Sequence, residues 1–124
     1  MSGRDARRTA FRFGLGAEAR AAWLLRLKGY RILARRFKTQ AGEIDLVASR
    51  GDTLVFIEVK GRLDAASAYE AITPAQRRRI AAAARIWLAR HPGHMAMTQR
   101  FDAVFVSPRR WPVHNANAFE MDLG

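Results

Sequence analysis

The spacing of apolar side chains predicts a helix followed by a strand at the start of the chain. Residues 14–28 have the 3.6-residue period of a helix, and Gly29 follows where helices commonly end. Residues 30–37 then combine apolar and basic side chains and read as a strand. The apolar stripe of the predicted helix consists of Ala17, Ala21, Leu24 and Leu25.

Two apolar runs separated by a two-residue turn predict a β-hairpin. The runs span residues 43–50 and 53–60, and Gly51-Asp52 is a turn pair of the kind that hairpins favour. If Arg50 and Thr53 close the turn, opposed residues have numbers that sum to 103. The turn therefore fixes the register of the whole hairpin.

This register places four charged residues on one face at the open end of the hairpin. Asp45 is expected opposite Glu58, and Glu43 opposite Lys60, because side chains alternate faces with a period of 2. The reverse face is expected to be wholly aliphatic. It contains Ile44, Leu46, Ala48, Val55, Ile57 and Val59.

The opposed acids indicate a divalent metal. Directly opposed Cβ atoms lie about 5 Å apart, and two carboxylates at about 4 Å repel by about 4 kcal/mol near a protein surface. A hard cation such as Mg²⁺ or Mn²⁺ turns this repulsion into attraction. Lys60 on the same face can orient a water or stabilise negative charge. The alternative is an exposed sheet face with a Glu43–Lys60 ion pair and a solvated Asp45.

The second half of the chain predicts a helix, a strand and an edge strand. Thr73, Pro74 and Gln76 form a capping-box signature, and His91-Pro92-Gly93 ends the helix. Residues 100–107 read as a strand, and the tail 111–123 as a further edge strand. We therefore predict an α/β fold with an α-β-β-β-α-β order, in which helices flank a mixed sheet.

Composition bounds the function. The length of 124 residues predicts one domain, and the absence of cysteine excludes disulfides and thiolate metal sites. The net charge of +11 predicts a polyanionic partner such as nucleic acid. The alternative is a solvated basic surface from an arginine-rich proteome. Residues 1–13 read as a basic flexible arm and 14–124 as a single domain. No secretory signal or membrane helix is recognisable, so we expect a cytoplasmic protein.

Several motifs together resemble a known family. Asp45 followed by Glu58-Val59-Lys60 is similar to the Asp…(Asp/Glu)-x-Lys signature of restriction-endonuclease-like nucleases. The resemblance is closer to the YraN family, uncharacterised bacterial proteins similar to archaeal Holliday-junction resolvases, and it spans about residues 14–119. Its motifs are Gly16-Ala17-Glu18, Gly29-Tyr30, Gly42-Glu43-Ile44-Asp45-Leu46, Phe56-Ile57-Glu58-Val59-Lys60, Arg100-Phe101-Asp102 and Asn117-Ala118-Phe119.

The resemblance implies roles for individual residues. Asp45, Glu58 and the Val59 backbone carbonyl would bind Mg²⁺ or Mn²⁺, and Lys60 would position the attacking water. Glu18 would be an auxiliary acid; its alternative role is a first-turn glutamate favoured by the helix dipole.

Two further residues are expected to support this site. We expect Glu43 to hold Lys60 by a salt bridge rather than to contact the metal. Gln76 can approach the site or a phosphate, although its capping role explains it without catalysis. Arg100 and Asp102 are interpreted as a structural ion pair.

These expectations lead to three functional hypotheses. The first is a metal-dependent endonuclease acting on branched or structured DNA, with a homodimer expected by analogy. The second is a non-catalytic nucleic-acid-binding module of a repair, recombination or uptake complex. The third is an adaptor for an acidic protein. Phosphate contacts are predicted for Arg35, Arg36, Lys38, Arg77, Arg78 and Arg79.

Overall fold

The computed structural model describes residues 13–61 and 72–120. Within these ranges the predicted element order is confirmed. The elements are α1 (Phe13–Leu27), β1 (Arg31–Lys38), β2 (Glu43–Arg50), β3 (Thr53–Lys60), α2 (Pro74–Arg90), a 3₁₀ turn (Pro92–His94), β4 (Thr98–Phe105) and β5 (Val113–Phe119). The edge strand predicted in the tail is β5. Residues 1–12 of the predicted arm, the stretch 62–71 and residues 121–124 lie outside the described ranges.

The five strands form one mixed sheet in the order β1-β2-β3-β4-β5. Neighbouring strands are antiparallel except β3 and β4, which are parallel and are connected through α2. This is the arrangement expected when a helix links two strands of one sheet. No helix in the described ranges is long and apolar enough to cross a membrane.

The sheet has a hydrophobic core on each face. Helix α1 covers one core, built from Ala21, Leu25, Leu46, Ala48, Val55, Ile57 and Val104 among others. Helix α2 covers the second, built from Ile44, Val47, Leu54, Phe56, Ile80, Trp87 and Phe101 among others. The predicted aliphatic face is confirmed for Leu46, Ala48, Val55, Ile57 and Val59, which pack in or against the core under α1. Ile44, predicted on the same face, packs under α2 instead. The face that carries Glu58 is itself buried except at its end, because α2 packs on it.

Glycines shape the two turns that frame β2. Gly51 has a φ of 57°, which suits the first position of a type II′ hairpin turn. Gly42, which leads into β2, packs against the backbone of α2: an added Cβ would lie 2.1 Å from the carbonyl oxygen of Arg79. The absence of a side chain at residue 42 therefore allows the start of β2 to touch α2.

The capping box at the start of α2 is confirmed in both directions. The backbone N–H of Gln76 donates to the Thr73 hydroxyl at 3.2 Å, and the side-chain Oε1 of Gln76 accepts from the backbone N–H of Thr73 at 3.0 Å. These bonds satisfy two backbone donors that a helix start leaves unpaired.

Candidate metal centre

The candidate centre lies where β2 and β3 separate. Their backbone pairing follows the predicted sum of 103 from Arg50–Thr53 to Leu46–Ile57. It ends one residue before Asp45 and Glu58. At that point the Val59 N–H donates to Oδ2 of Asp45 at 2.7 Å. A carboxylate thus occupies the gap between the strands, so the expected direct backbone pairing of Asp45 with Glu58 needs correction.

The alternation of β2 is interrupted at the same residue. Ile44 packs into the core under α2, whereas Leu46 packs into the core under α1. In a regular strand, residues two apart share a face. The strand therefore turns about its own axis at Asp45, and in the paired strand β1 Arg36 takes a left-handed φ of 53°. This local twist places Asp45 between the two faces.

The side chains of Asp45 and Glu58 are close enough for each carboxyl to affect the ionisation of the other. Burial raises the pKa of Asp45, and the Val59 N–H opposes that shift. Burial together with the nearby Asp45 carboxyl raises the pKa of Glu58 to about 7, and Lys60 opposes it. Two adjacent carboxyls that resist joint ionisation are the electrostatic condition that a divalent cation relieves.

Lys60 pairs with Glu58 rather than with Glu43. Its ammonium Nζ lies 3.2 Å from Oε1 of Glu58, and both side chains are largely buried. No Glu43–Lys60 salt bridge forms in the described ranges, so that predicted pair is wrong. Beyond Leu46 and Ile57, β2 separates from β3, so Glu43 on β2 is no longer paired with Lys60 on β3. Glu58 and Lys60 are two residues apart on β3 and therefore share one face of that strand.

The donor set at this gap fits Mg²⁺ or Mn²⁺. The Lys60 carbonyl accepts from the Val106 N–H toward β4, so the Val59 carbonyl points the opposite way, toward Asp45. Two carboxyls and one carbonyl leave positions for water, which suits an ion that retains several waters. No cluster of three or more acidic or histidine side chains able to hold a metal occurs among the described residues. Glu18 and Glu43 therefore do not extend the pair into a three-acid cluster.

Glu18 is buried and neighbours the centre on the α1 side. Its carboxylate accepts ion pairs from Arg35 and Arg36 at 3.3 and 3.4 Å. The alternative role, a first-turn glutamate favoured by the helix dipole, is wrong, because α1 begins at Phe13 and Glu18 lies beyond its first turn. Glu18 lines a cavity of about 180 Å³ with Asp45, Glu43, Ile44, Arg36 and Lys38. An auxiliary role at the centre stays a prediction.

A second cavity adjoins the pair on the α2 side. It measures about 80 Å³ and is lined by Glu43, Glu58, Gln76, Arg79 and Ile80. A cavity of this size holds an ion with its waters. Gln76 therefore both caps α2 and faces the site, and Arg79 brings a cation beside it. Glu43 lies between the two cavities.

The predicted phosphate-binding arginines of α2 differ in their surroundings. Arg78 and Arg79 are exposed. Arg77 instead donates from Nε to the Ile72 carbonyl at 2.9 Å and lies 5.5 Å from the Phe119 ring centroid. Arg77 thus ties the start of α2 to β5, and these contacts explain it without a phosphate.

A second acidic cluster, which the sequence interpretation underestimated, lies around Asp102 on β4. Asp102 is fully buried and accepts two hydrogen bonds from Arg100, each of 2.8 Å. It also contacts Nε2 of His114 at 2.6 Å and accepts from the Asn117 N–H at 2.8 Å. Burial alone would raise the pKa of Asp102, but these hydrogen bonds outweigh it and lower the pKa.

The Asp102 cluster reaches the segment between α1 and β1. Arg100 donates to the Tyr30 hydroxyl at 2.6 Å, and Lys28 Nζ lies 2.6 Å from Nδ1 of His114. The cluster thus joins β4, β5 and the segment between α1 and β1, which supports its structural interpretation. The signal in the sequence is an aspartate inside an otherwise apolar run.

Comparison with known proteins gives a consistent family match. Residues 17–106 match the model of the uncharacterised protein family UPF0102. A UPF0102 protein of Methylocella silvestris is 53% identical over 124 residues, which cover 100% of both chains. A UPF0102 protein of Methylorubrum extorquens is 53% identical over 116 residues, covering 94% of this chain and 91% of the relative. These names state the family and no activity.

Proposed function

The chain belongs to the uncharacterised protein family UPF0102, and we propose that it is a metal-dependent endodeoxyribonuclease that hydrolyses phosphodiester bonds in branched or structured DNA. The observation that carries this proposal is the Asp45–Glu58 pair in the gap between β2 and β3. Both carboxyls have raised pKa values, and the Lys60 ammonium lies beside them. Such perturbed, adjacent acids with a cation favour a site for chemistry over a structural contact.

Different residues have different roles in the proposed hydrolysis. Asp45, Glu58 and the Val59 carbonyl would hold Mg²⁺ or Mn²⁺. A bound cation supplies Lewis-acid polarisation of the phosphate and lowers the pKa of a coordinated water. Lys60, as an ammonium 3.2 Å from Glu58, is placed to orient the attacking water and to stabilise negative charge developing on phosphate oxygens. Arg79 is placed to hold a neighbouring phosphate.

The basic surface supports DNA as the substrate. The net charge of +11 favours a polyanion, and Arg35, Arg36 and Lys38 lie on the α1 side of the centre while Arg78 and Arg79 lie on the α2 side. These contacts recognise phosphates rather than bases, so the proposed selectivity is for DNA structure. A homodimer that cuts two strands and a cytoplasmic location belong to this proposal by analogy.

Cleavage of a DNA panel tests the proposal. Purified protein is incubated with four-way junctions, flaps and linear duplex in Mg²⁺ or Mn²⁺, with EDTA as the blank. We expect EDTA-sensitive cleavage of branched substrates that Asp45→Ala abolishes. The matched control is Asp52→Ala, which removes an exposed aspartate from the turn of the same hairpin. Absence of cleavage across the panel, or cleavage that survives Asp45→Ala, would contradict the proposal.

A non-catalytic nucleic-acid-binding module is the second candidate. The observation that favours it is internal charge pairing: Glu58 is paired with Lys60, and Glu18 with Arg35 and Arg36. On this alternative the acids position the lysine and arginine side chains that bind DNA, and no metal is needed. Calorimetric titration with Mn²⁺ separates the two candidates, because only the nuclease requires a site that Asp45→Asn removes.

A further inference from the structure

Two exposed tryptophans form a pair on the surface of the protein. Trp23 on α1 is 56% exposed, and Trp111 in the β4–β5 loop is 70% exposed. Their ring centroids lie 6.5 Å apart, and their planes differ by 19°. They line a cavity of about 640 Å³ with Ala19, Arg20, Leu24 and Pro112 among its walls. Large aromatic rings that form such an open apolar surface indicate a binding site.

The loop that carries Trp111 is fastened to α1. The Arg20 guanidinium donates from Nη1 to the Ser107 carbonyl at 2.9 Å and from Nη2 to the Arg110 carbonyl. Arg109 between them adopts a left-handed φ of 64°, which residues with side chains seldom adopt. The spacing of the two indoles is therefore held by the fold, which reduces the entropy lost when a ligand binds.

The exposed aromatic rings and the charge of this site indicate its occupant. We propose that Trp23 and Trp111 form a slot for an unpaired nucleobase of single-stranded DNA. The two indoles are stacked with their planes 19° from parallel and remain exposed, so a flat base can stack on them and enter the cavity that they line. Arg109 and Arg110 also line the cavity, and neither forms a salt bridge in the described ranges. Their positive charges would attract the phosphates of a bound strand.

The loop that carries Trp111 begins next to the end of β3 that carries Lys60. Phe105 of β4 is the register partner of Lys60, and the Val106 N–H donates to the Lys60 carbonyl at 2.8 Å. The loop to Trp111 begins immediately after these residues. On α1, Trp23 follows Glu18 by five residues, about 7.5 Å along the helix axis and about 140° around it. The choice of single-stranded DNA as the ligand rests on the proposed function for its substrate class.

Binding without catalysis tests the slot. Fluorescence anisotropy of a labelled 12-nucleotide oligothymidine is measured in EDTA at fixed low salt, with a strand of 12 abasic sites as the ligand of equal charge. We expect oligothymidine to bind about 10-fold tighter than the abasic strand, because stacking of one base contributes on that order. Trp23→Ala or Trp111→Ala should remove this difference, and Trp111→Phe should largely keep it. Intrinsic tryptophan fluorescence should fall when oligothymidine binds the unaltered protein.

The matched control is Leu27→Ala, which removes an exposed apolar side chain one turn beyond Trp23 on α1. We expect it to leave both affinities unchanged. The proposal is overturned if the tryptophan variants bind oligothymidine as the unaltered protein does, or if Leu27→Ala weakens binding equally. Sedimentation that shows a dimer split by Trp111→Ala, with DNA affinity unchanged, would assign the slot to a second copy of the chain and also overturn it.

The slot and the nuclease fail separately. Base-dependent binding lost in the tryptophan variants, together with an inactive enzyme, would contradict the proposed hydrolysis and leave the slot supported. Asp45-dependent cleavage with unchanged binding in those variants would support hydrolysis and contradict the slot.

Discussion

Two groups of buried carboxyls lie in the same sheet, and their pKa values are shifted in opposite directions. Asp102 has four hydrogen bonds from three partner residues, and these lower its pKa. Asp45 and Glu58 have each other, one backbone N–H and Lys60, and their pKa values are raised. The same chemical group is thus stabilised as an anion in one place and disfavoured as an anion in the other.

The difference lies in the number of donors that converge on the carboxyl groups. Around Asp102, Arg100, His114 and Asn117 fill the acceptor positions of a single anion. At the gap between β2 and β3, two acids share fewer donors, so a cation that binds there would stabilise both carboxylates as anions. A saturated cluster stabilises the fold, whereas an unsaturated pair is suited to a ligand. The following substitutions test that distinction.

Breaking the saturated cluster should have the largest effect on stability. Asp102→Asn leaves the partly exposed Arg100 and the buried His114 side chain without their carboxylate, and we expect a loss of about 3–5 kcal/mol in the free energy of unfolding. The melting temperature should fall by roughly 10–20 °C. Denaturant unfolding measures the change, with Asp52→Asn in the exposed hairpin turn as the control. A loss below about 1 kcal/mol would mean that the cluster does not hold β4, β5 and the segment after α1 together.

The two clusters should respond to pH with opposite signs. The pKa of Glu58 is about 7 in the folded protein against an ordinary value of 4.5, so the folded state binds the proton more tightly. Its contribution to stability is therefore complete below about pH 4.5 and is lost as pH rises through 7. The difference corresponds to at most about 3 kcal/mol. Asp102, with a lowered pKa, contributes above its ordinary value and loses that contribution as pH falls.

The Glu58→Gln substitution measures how much stability the protein loses when Glu58 ionises at rising pH. In EDTA this variant should be more stable than the unaltered protein at pH 8, by up to about 3 kcal/mol, and about equally stable at pH 4.5. Unfolding measured across this range provides the comparison. Equal pH profiles for the two proteins would contradict the raised pKa of Glu58.

Gly42→Ala should damage the metal centre and spare the Asp102 cluster. An added methyl would meet the Arg79 backbone at 2.1 Å, which forces the start of β2 away from α2. We expect a loss of about 2–3 kcal/mol together with weaker Mn²⁺ binding. Gly93→Ala is the control, since its added Cβ meets open space. Hydrogen exchange at the Asn117 amide should stay slow, and fast exchange there would show that the two regions are coupled.

Arg35→Gln should have the smallest effect. Arg35 is 45% exposed and its distance to Glu18 is 3.3 Å, so solvent screens the pair. We expect a loss below about 1 kcal/mol in the free energy of unfolding. Arg78→Gln, an exposed arginine of α2, is the control. A loss above about 2 kcal/mol would place Glu18 in a structural cluster like that of Asp102.

Local rules in the sequence predicted the parts of the structure that depend on short range. The turn at Gly51-Asp52 determined the hairpin register, and Thr73 with Gln76 marked the start of α2. The apolar periods predicted the element order, including the parallel placement of β4. These features follow from neighbours in the chain, which is why a single sequence contains enough information for them.

Long-range packing accounts for what the sequence did not predict. The separation of β2 from β3 at Asp45 moves Glu43 away from its expected partner, so Lys60 pairs with Glu58 instead. The Asp102 cluster joins residues up to 86 positions apart, from Lys28 to His114. The Trp23–Trp111 pair likewise depends on a loop fastened across the fold. Alternating patterns along one strand contain no information about such contacts.

Calorimetric titration with Mn²⁺ at pH 7.5 tests the central claim, that Asp45 and Glu58 form an unsaturated pair which binds a divalent cation. We expect one site per chain in the unaltered protein and in Asp52→Asn, and no site in Asp45→Asn. Binding should release protons, because the carboxyls that hold the ion must be ionised. Absence of binding in the unaltered protein, or an equal site in Asp45→Asn, would contradict the account.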